Sequence, residues 1–251
     1  MTSSDGYCRL CGDKKELSRE HFPPQKAFNS KPELSLIKDI NSLLGLNCND
    51  KIIGVEERTG LSTYSLCTNC NNYTGGTYGP WFVEWVKASE LTLELCYGMR
   101  EIPHTRELYP LRILKQIAIF FLSINGSGFH KNYPDLSKFI LDRKMVGLPP
   151  RYHFFLYFNN VGIKRMVGNA QIVVKNGNGI LPSAFVSEFS FPPFGYVFLW
   201  GEVPPQDPRF DKLYEITYFS RFRFKQKAKI DLTLHVLPTR KNIALDYASY
   251  D

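Results

Sequence analysis

The chain has 251 residues, 43% hydrophobic and 14% aromatic, enough apolar mass for a packed core and too much for a disordered chain. Six cysteines are too few for a disulfide-scaffolded miniprotein, and the opening MTSSDGYCRL lacks a basic-then-apolar leader. The apolar stretch Leu111 to Ile124 is interrupted by Arg112, Lys115 and Gln116, which argues against a membrane span and for a soluble, cytoplasmic chain with reduced thiols. In such a setting paired cysteines point to metal or catalysis before disulfides.

The net charge of +7 is unevenly placed: residues 1–100 carry a net of −1 and residues 101–251 a net of +8. Five of the six cysteines precede residue 71. A thiol-rich front and a cationic back are therefore expected, divided as 1–98 and 99–251.

In chain order, residues 7–24 read as a cysteine turn followed by an extended piece ending at Pro23-Pro24, because prolines lack the N–H that a helix needs. Residues 25–60 read as a long loop enclosing one helix over Leu34, Leu36, Ile37, Ile40, Leu43 and Leu44. LSTYSLC at 61–67 reads as a strand, with a helix starting weakly over 71–75 and firmly from Pro80. Helices are expected over Pro110–Ile124, ended by Asn125-Gly126, and over Asp135–Val146. From Pro150 onward RYHFFLYF, AQIVVK, AFVSEFSF, GYVFLWG, LYEITYFSRFRF and KIDLTLHVL read as strands separated by turn residues. Asn176-Gly177-Asn178-Gly179 lacks the Lys-Ser/Thr of a phosphate loop and reads as a hairpin turn. The fold class is α+β, with an antiparallel sheet in the back part.

Two CxxC pairs, Cys8–Cys11 and Cys67–Cys70, match the spacing at which tight turns present two thiolates to one ion; four complete a closed, structural Zn²⁺ shell. Glu20-His21 lies in SREHFPP, nine residues after Cys11. A carboxylate is a hard oxygen donor suited to Mg²⁺, and a neutral imidazole can take a proton from water near pH 7. Asn71 directly follows the last cysteine and offers an amide oxygen at a helix start.

The arrangement CxxC…EHFPP…LCTNCNN resembles the zinc-stabilised HNH endonucleases, the ββα-metal nucleases, particularly phage Holliday-junction-resolving enzymes. The resemblance spans about residues 5–90. It implies a treble-clef zinc domain with Cys8, Cys11, Cys67 and Cys70 on zinc, Glu20 and Asn71 on a catalytic Mg²⁺ or Mn²⁺, and His21 as general base. The expected function is endonucleolytic cutting or nicking of DNA. Where many members have a ligand one helical turn after the Asn, this chain has Thr74 and Gly75. Where many have an Asn that orients the base, it has Gly60-Leu61-Ser62-Thr63-Tyr64, so that Ser62, Thr63 or a carbonyl takes that role. The alternative is a treble-clef module that binds nucleic acid or protein without cutting. A helical connector and β-rich domain over 99–251 would bind nucleic acid or a partner, or restrain the nuclease as in bacterial anti-phage defence systems.

In Arg221-Phe222-Arg223-Phe224-Lys225-Gln226-Lys227-Ala228-Lys229 cations alternate with other residues. If the run is extended, Arg221, Arg223, Lys225, Lys227 and Lys229 line one face and track a phosphate backbone; the plainer reading is a solvated sheet face. His104, His130, His153 and His235 lack partners at ligand spacing and read as surface or core histidines. Cys48 and Cys96 read as ordinary buried thiols. Phe82, Trp81 and Trp85 read as core packing.

Overall fold

The computed structural model describes residues 4–30, 33–37, 53–57, 60–126, 128–160, 164–172, 175–176, 179–180, 184–201 and 210–237. Strands β1 (Ser4–Tyr7), β2 (Lys14–His21) and β5 (Ser62–Cys67) form an antiparallel sheet in the order β1-β2-β5. Between β2 and β5 the chain runs out through a second hairpin, β3 (Glu33–Ile37) against β4 (Ile53–Glu57). The helix expected over 34–44 is thus a strand over 33–37, and its remainder lies outside the described residues. Leu34 and Leu36 satisfy a period of two as well as one of 3.6, and a short apolar run does not separate the two.

Helices α1 (Thr68–Thr77) and α2 (Gly79–Leu95) follow, with proline in the first turn of α2. Strand β6 (Glu101–Leu108), which residue patterning did not announce, pairs with the last strand, β14 (Ala228–His235). Helix α3 (Pro110–Ile124) has the expected bounds, and nearly all of it is buried. A helix buried on nearly all sides must be packed by neighbours around it and must partner its polar side chains. Here Phe120 meets Phe189, and Phe121 meets Phe198, at centroid distances of 5.1 and 5.2 Å. The buried Lys115 keeps its charge partnered by donating to the Asp142 carbonyl at 2.6 Å, with its ammonium over the Phe139 ring. Among the described residues no helix is long and apolar enough to cross a membrane.

Short helix α4 (Phe129–Asn132) leads into α5 (Pro134–Leu141). The expected helix through Val146 stops at Leu141 because side chains take over its terminal carbonyls. Tyr78 donates to the Ile140 carbonyl, Tyr73 to Leu141 at 2.9 Å, and Lys115 to Asp142.

The back of the molecule is one antiparallel sheet in the order β13-β7-β12-β11-β8, built from β7 (Tyr152–Phe158), β8 (Arg165–Ile172), β11 (Ala184–Phe191), β12 (Phe194–Trp200) and β13 (Tyr214–Glu215). A hairpin of β9 (Lys175–Asn176) and β10 (Gly179–Ile180) matches the turn expected at 176–179. One sheet face packs on α3; Val197, Leu199 and Val186 of the other belong to a second apolar cluster. The strand expected over 213–224 ends at Glu215. Thr217 accepts the Phe154 N–H on its hydroxyl at 2.9 Å, so the chain leaves the sheet edge and turns into a 3-10 helix over Thr217–Arg221.

Candidate metal centre and adjoining site

The first cysteine pair sits on the turn between β1 and β2. Gly12 donates to the Cys8 carbonyl at 2.8 Å, and its φ of +80° closes the turn in a region that favours glycine. The second pair spans a junction: Cys67 ends β5 and Cys70 lies in the first turn of α1. All four sulfur atoms lie within 4.8 Å of one another. A tetrahedral Zn–S shell with bonds of about 2.3 Å needs sulfurs roughly 3.8 Å apart, so the four cysteines could hold a metal ion and the donor set is compatible with structural zinc. The protonation of the thiols is uneven. A hydrogen bond from Cys70, helped by backbone N–H groups, pulls Cys8 well below the usual thiol range, while burial pushes Cys11 up and the bond to Cys8 pushes Cys70 up. Without an ion the cluster favours one thiolate among its thiols; a dication would let all four ionise.

Glu20 is 3% exposed. Its carboxylate accepts hydrogen bonds from Ser65 of β5 and Ser123 of α3, at 2.5 and 2.6 Å. Arg9, from the first cysteine turn, donates to the Ser123 carbonyl, and its charge acts on the carboxylate. Burial pushes the Glu20 carboxyl up to about 7, against the two hydroxyls and Arg9, which pull it down. His21 is the next residue on β2, so its side chain leaves the opposite face; it is half-buried and registers against Ser62. Asn71 of α1 donates its amide to the Ser18 hydroxyl at 3.0 Å and to the Arg19 carbonyl at 3.2 Å, at the bulge where β2 shifts register against β5. Ser62 accepts from Arg19 at 2.7 Å.

The four cysteines are therefore brought together, and Asn71 is brought to β2 two residues before His21. The Glu20 carboxylate points into the core toward Ser65 and Ser123. In this arrangement it does not fit a hard-cation ligand, which needs an accessible oxygen.

Four residues that matter here were not singled out by the motifs. Ser65, Ser123 and Arg9 surround Glu20. Asn29 closes the neck of the 22–61 excursion, donating to the Pro23 and Leu61 carbonyls and accepting from the Leu61 N–H at 2.7 Å. A small polar residue inside an apolar run, such as Ser65 in YSLC or Ser123 in FFLSI, signals a buried hydroxyl needing a partner. It does not say which partner, 45 or 103 residues away.

The cationic run is not one extended row. Arg221 ends a 3-10 helix, Arg223, Lys225 and Lys227 lie on the following turn and coil, and Lys229 alone is on a strand, β14. All five are exposed. Lys227 pairs with Glu107 at 3.1 Å, and Lys229 stands opposite Glu107 across β14 and β6. His104 is buried on Ser89, His153 pairs with Glu215 and His235 with Glu101. Phe82 and Trp85 pack in the core, while Trp81 lies partly exposed against Tyr109; Cys48 lies outside the described residues. Comparison with protein-family models, curated proteins and solved structures gave no match.

Proposed function

We propose that the chain is an HNH-type phosphodiester hydrolase that nicks or cuts DNA, with zinc on Cys8, Cys11, Cys67 and Cys70 and His21 as general base. The observation that carries this reading is the bond from Asn71 to Ser18 and Arg19. It ties the helix bearing Cys70 to the strand bearing His21, and so links the cysteine cluster to that strand. His21, on the face of β2 away from Glu20, would take a proton from the attacking water. A Mg²⁺ or Mn²⁺ ion, when bound, would supply Lewis-acid stabilisation at the phosphate. Of the two oxygen ligands that the motif names, Asn71 keeps that role in this reading; no step is assigned to Glu20, whose carboxylate braces β2 against Ser65 and Ser123.

A second reading, a zinc module that binds nucleic acid or protein without cutting, is favoured by the engagement of Glu20 in the core. Plasmid nicking with added Mg²⁺ or Mn²⁺ separates the two. His21→Ala is expected to slow nicking by about 10²–10⁴-fold, the usual worth of a general base; equal rates for wild type and variant overturn the hydrolase. Glu20→Gln, which keeps the shape of the brace, is expected to retain most activity. A loss as large as that of His21→Ala, with the fold intact, would return Glu20 to the role of metal ligand. No hydrolysis with any divalent ion selects the second reading. The role of 99–251 as a regulator, and membership of an anti-phage defence system, would show as partner-dependent or phage-triggered nicking by the full chain.

A further inference from the structure

The start of α3 gathers cations that make no ion pair among the described residues. The Arg112 guanidinium carbon lies 4.1 Å from the ring centroid of Phe224 and 4.7 Å from those of Trp81 and Tyr109. Its Nε donates to the Phe224 carbonyl at 2.8 Å. Three ring faces and one carbonyl fix the plane of the guanidinium, and its terminal nitrogens have no hydrogen-bond partner among the described residues. A fork oriented before binding loses little freedom when it meets an oxyanion. Arg143 lies 5.8 Å from the same Phe224 ring, and Arg223 and Lys225 flank Phe224 on an exposed turn that Gln226 closes by accepting the Arg223 N–H at 3.0 Å. Arg143, Arg223 and Lys225 make no ion pair among the described residues. The rest of the basic run differs: Lys227 and Lys229 face Glu107, and Arg221 acts on Glu215.

We infer that Arg112, Arg143, Arg223 and Lys225 form a clamp for the phosphodiester backbone of DNA, an inference that rests on the hydrolase reading and names the surface that grips its substrate. The four charges are spread over a helix start, a loop and a turn, which suits a chain of phosphates better than one small anion. The clamp is joined to the candidate site. Phe224 meets Tyr78 at a centroid distance of 6.4 Å, and Tyr78 follows α1, whose first turn carries Asn71. Seven helical residues rise about 10 Å. Grip and candidate site are thus on the order of 15 Å apart, about four nucleotides along one duplex strand.

The test is fluorescence anisotropy of the full chain with a labelled DNA duplex of about 20 base pairs and random sequence, without added Mg²⁺ or Mn²⁺. The triple variant Arg143→Glu, Arg223→Glu, Lys225→Glu is expected to bind at least about tenfold more weakly and to flatten the slope of log affinity against log salt by about 2–3, at roughly 0.9 for each phosphate no longer neutralised. Arg112→Lys keeps the charge and loses the fork, and is expected to weaken binding by about threefold or more. Lys227→Glu with Lys229→Glu should stay within about twofold, because those lysines already face a carboxylate. A triple variant that binds like wild type overturns the clamp, as does a Lys227/Lys229 variant that weakens binding as much. An RNA duplex of the same sequence runs in parallel; tighter binding to RNA overturns the assignment to DNA. Nicking is scored separately. Normal binding by the triple variant, with nicking that depends on His21, removes the clamp and leaves the hydrolase. Weakened binding by the triple variant, with no nicking by wild type, removes the hydrolase.

Discussion

The three-stranded sheet at the cysteine cluster and the five-stranded sheet at the back are both antiparallel, yet different forces hold them. In β2 the first three residues are exposed, and Leu17 and Glu20 are its buried side chains. Its buried apolar neighbours Leu10, Leu61 and Leu66 are fewer than those of the back sheet, and a metal ion on the four cysteines would add a cross-link there. β12 is buried along its whole length, and its aromatic residues stack in series: Phe154 on Phe198 at 4.6 Å, Phe198 on Trp200 at 5.0 Å, Phe158 on Phe194 at 5.1 Å. The candidate site therefore stands on the sheet with less apolar packing, beside a cysteine cluster that could hold an ion, and leans on the other through Glu20 on Ser123 and Phe22 on Phe189.

The largest effect should come from removing the ion. Purified protein is expected to contain about one zinc per chain by elemental analysis, and Cys67→Ser to abolish it. Apparent zinc binding to such sites is worth roughly 10–16 kcal/mol of folding free energy in isolated fingers, so a chelator should strip amide-exchange protection from β2, β5 and α1 before it touches β7 and β12. Simultaneous loss in both sheets would erase the contrast and make the molecule one cooperative unit. Next in size is Phe198→Ala, which opens a cavity among aromatic rings. It should cost about 3–5 kcal/mol in urea unfolding while leaving the zinc content unchanged.

A smaller effect sharpens the boundary between the regions. His104 of β6 is buried beside Ser89 and against Phe158, and burial, aided by the charge of Arg106, lowers its pKa to about 4. The folded pKa lies below the unfolded value near 6.5, so the neutral ring stabilises the fold above about pH 6.5 and that stability drains away as pH falls toward 4. Its own share of the unfolding free energy, read as the difference between wild type and His104→Phe, is expected to drop by up to about 3 kcal/mol across that window, while Glu20, with its carboxyl pushed up to about 7, contributes with the opposite sign. A difference that does not change with pH would show that His104 is not the group that titrates there.

Much of this architecture could be read from residue order. Proline in the first turn, the apolar positions that follow and Asn125-Gly126 at the end gave α3 its bounds, and the two CxxC pairs announced the cluster. Where the reading failed, a distant partner decided. The 33–37 run became a strand because 53–57 pairs with it. The end of α5 was set by Tyr73, Tyr78 and Lys115. β6, with Pro103 inside it, took its conformation from β14. The basic run alternates in exposure as expected, with Phe222 and Phe224 half-buried, but its backbone turns because Thr217 draws the chain off the sheet edge. At the candidate site, motif spacing named Glu20, His21 and Asn71, yet the direction of the Glu20 carboxylate depended on Ser123, which lies on a helix that the motif does not include.

That helix has a mechanical consequence. Ser123 holds Glu20 near one end of α3, and Arg112 sits in its cage of rings at the other; the eleven residue steps from one to the other rise roughly 16 Å. Being buried along nearly its whole length, α3 cannot bend or slide without tearing the core, so it works as the bar of a caliper. It ties the strand that carries His21 to the caged Arg112, and in the proposed hydrolase the point of scission would be measured from the point of grip by a ruler made of Leu, Ile and Phe.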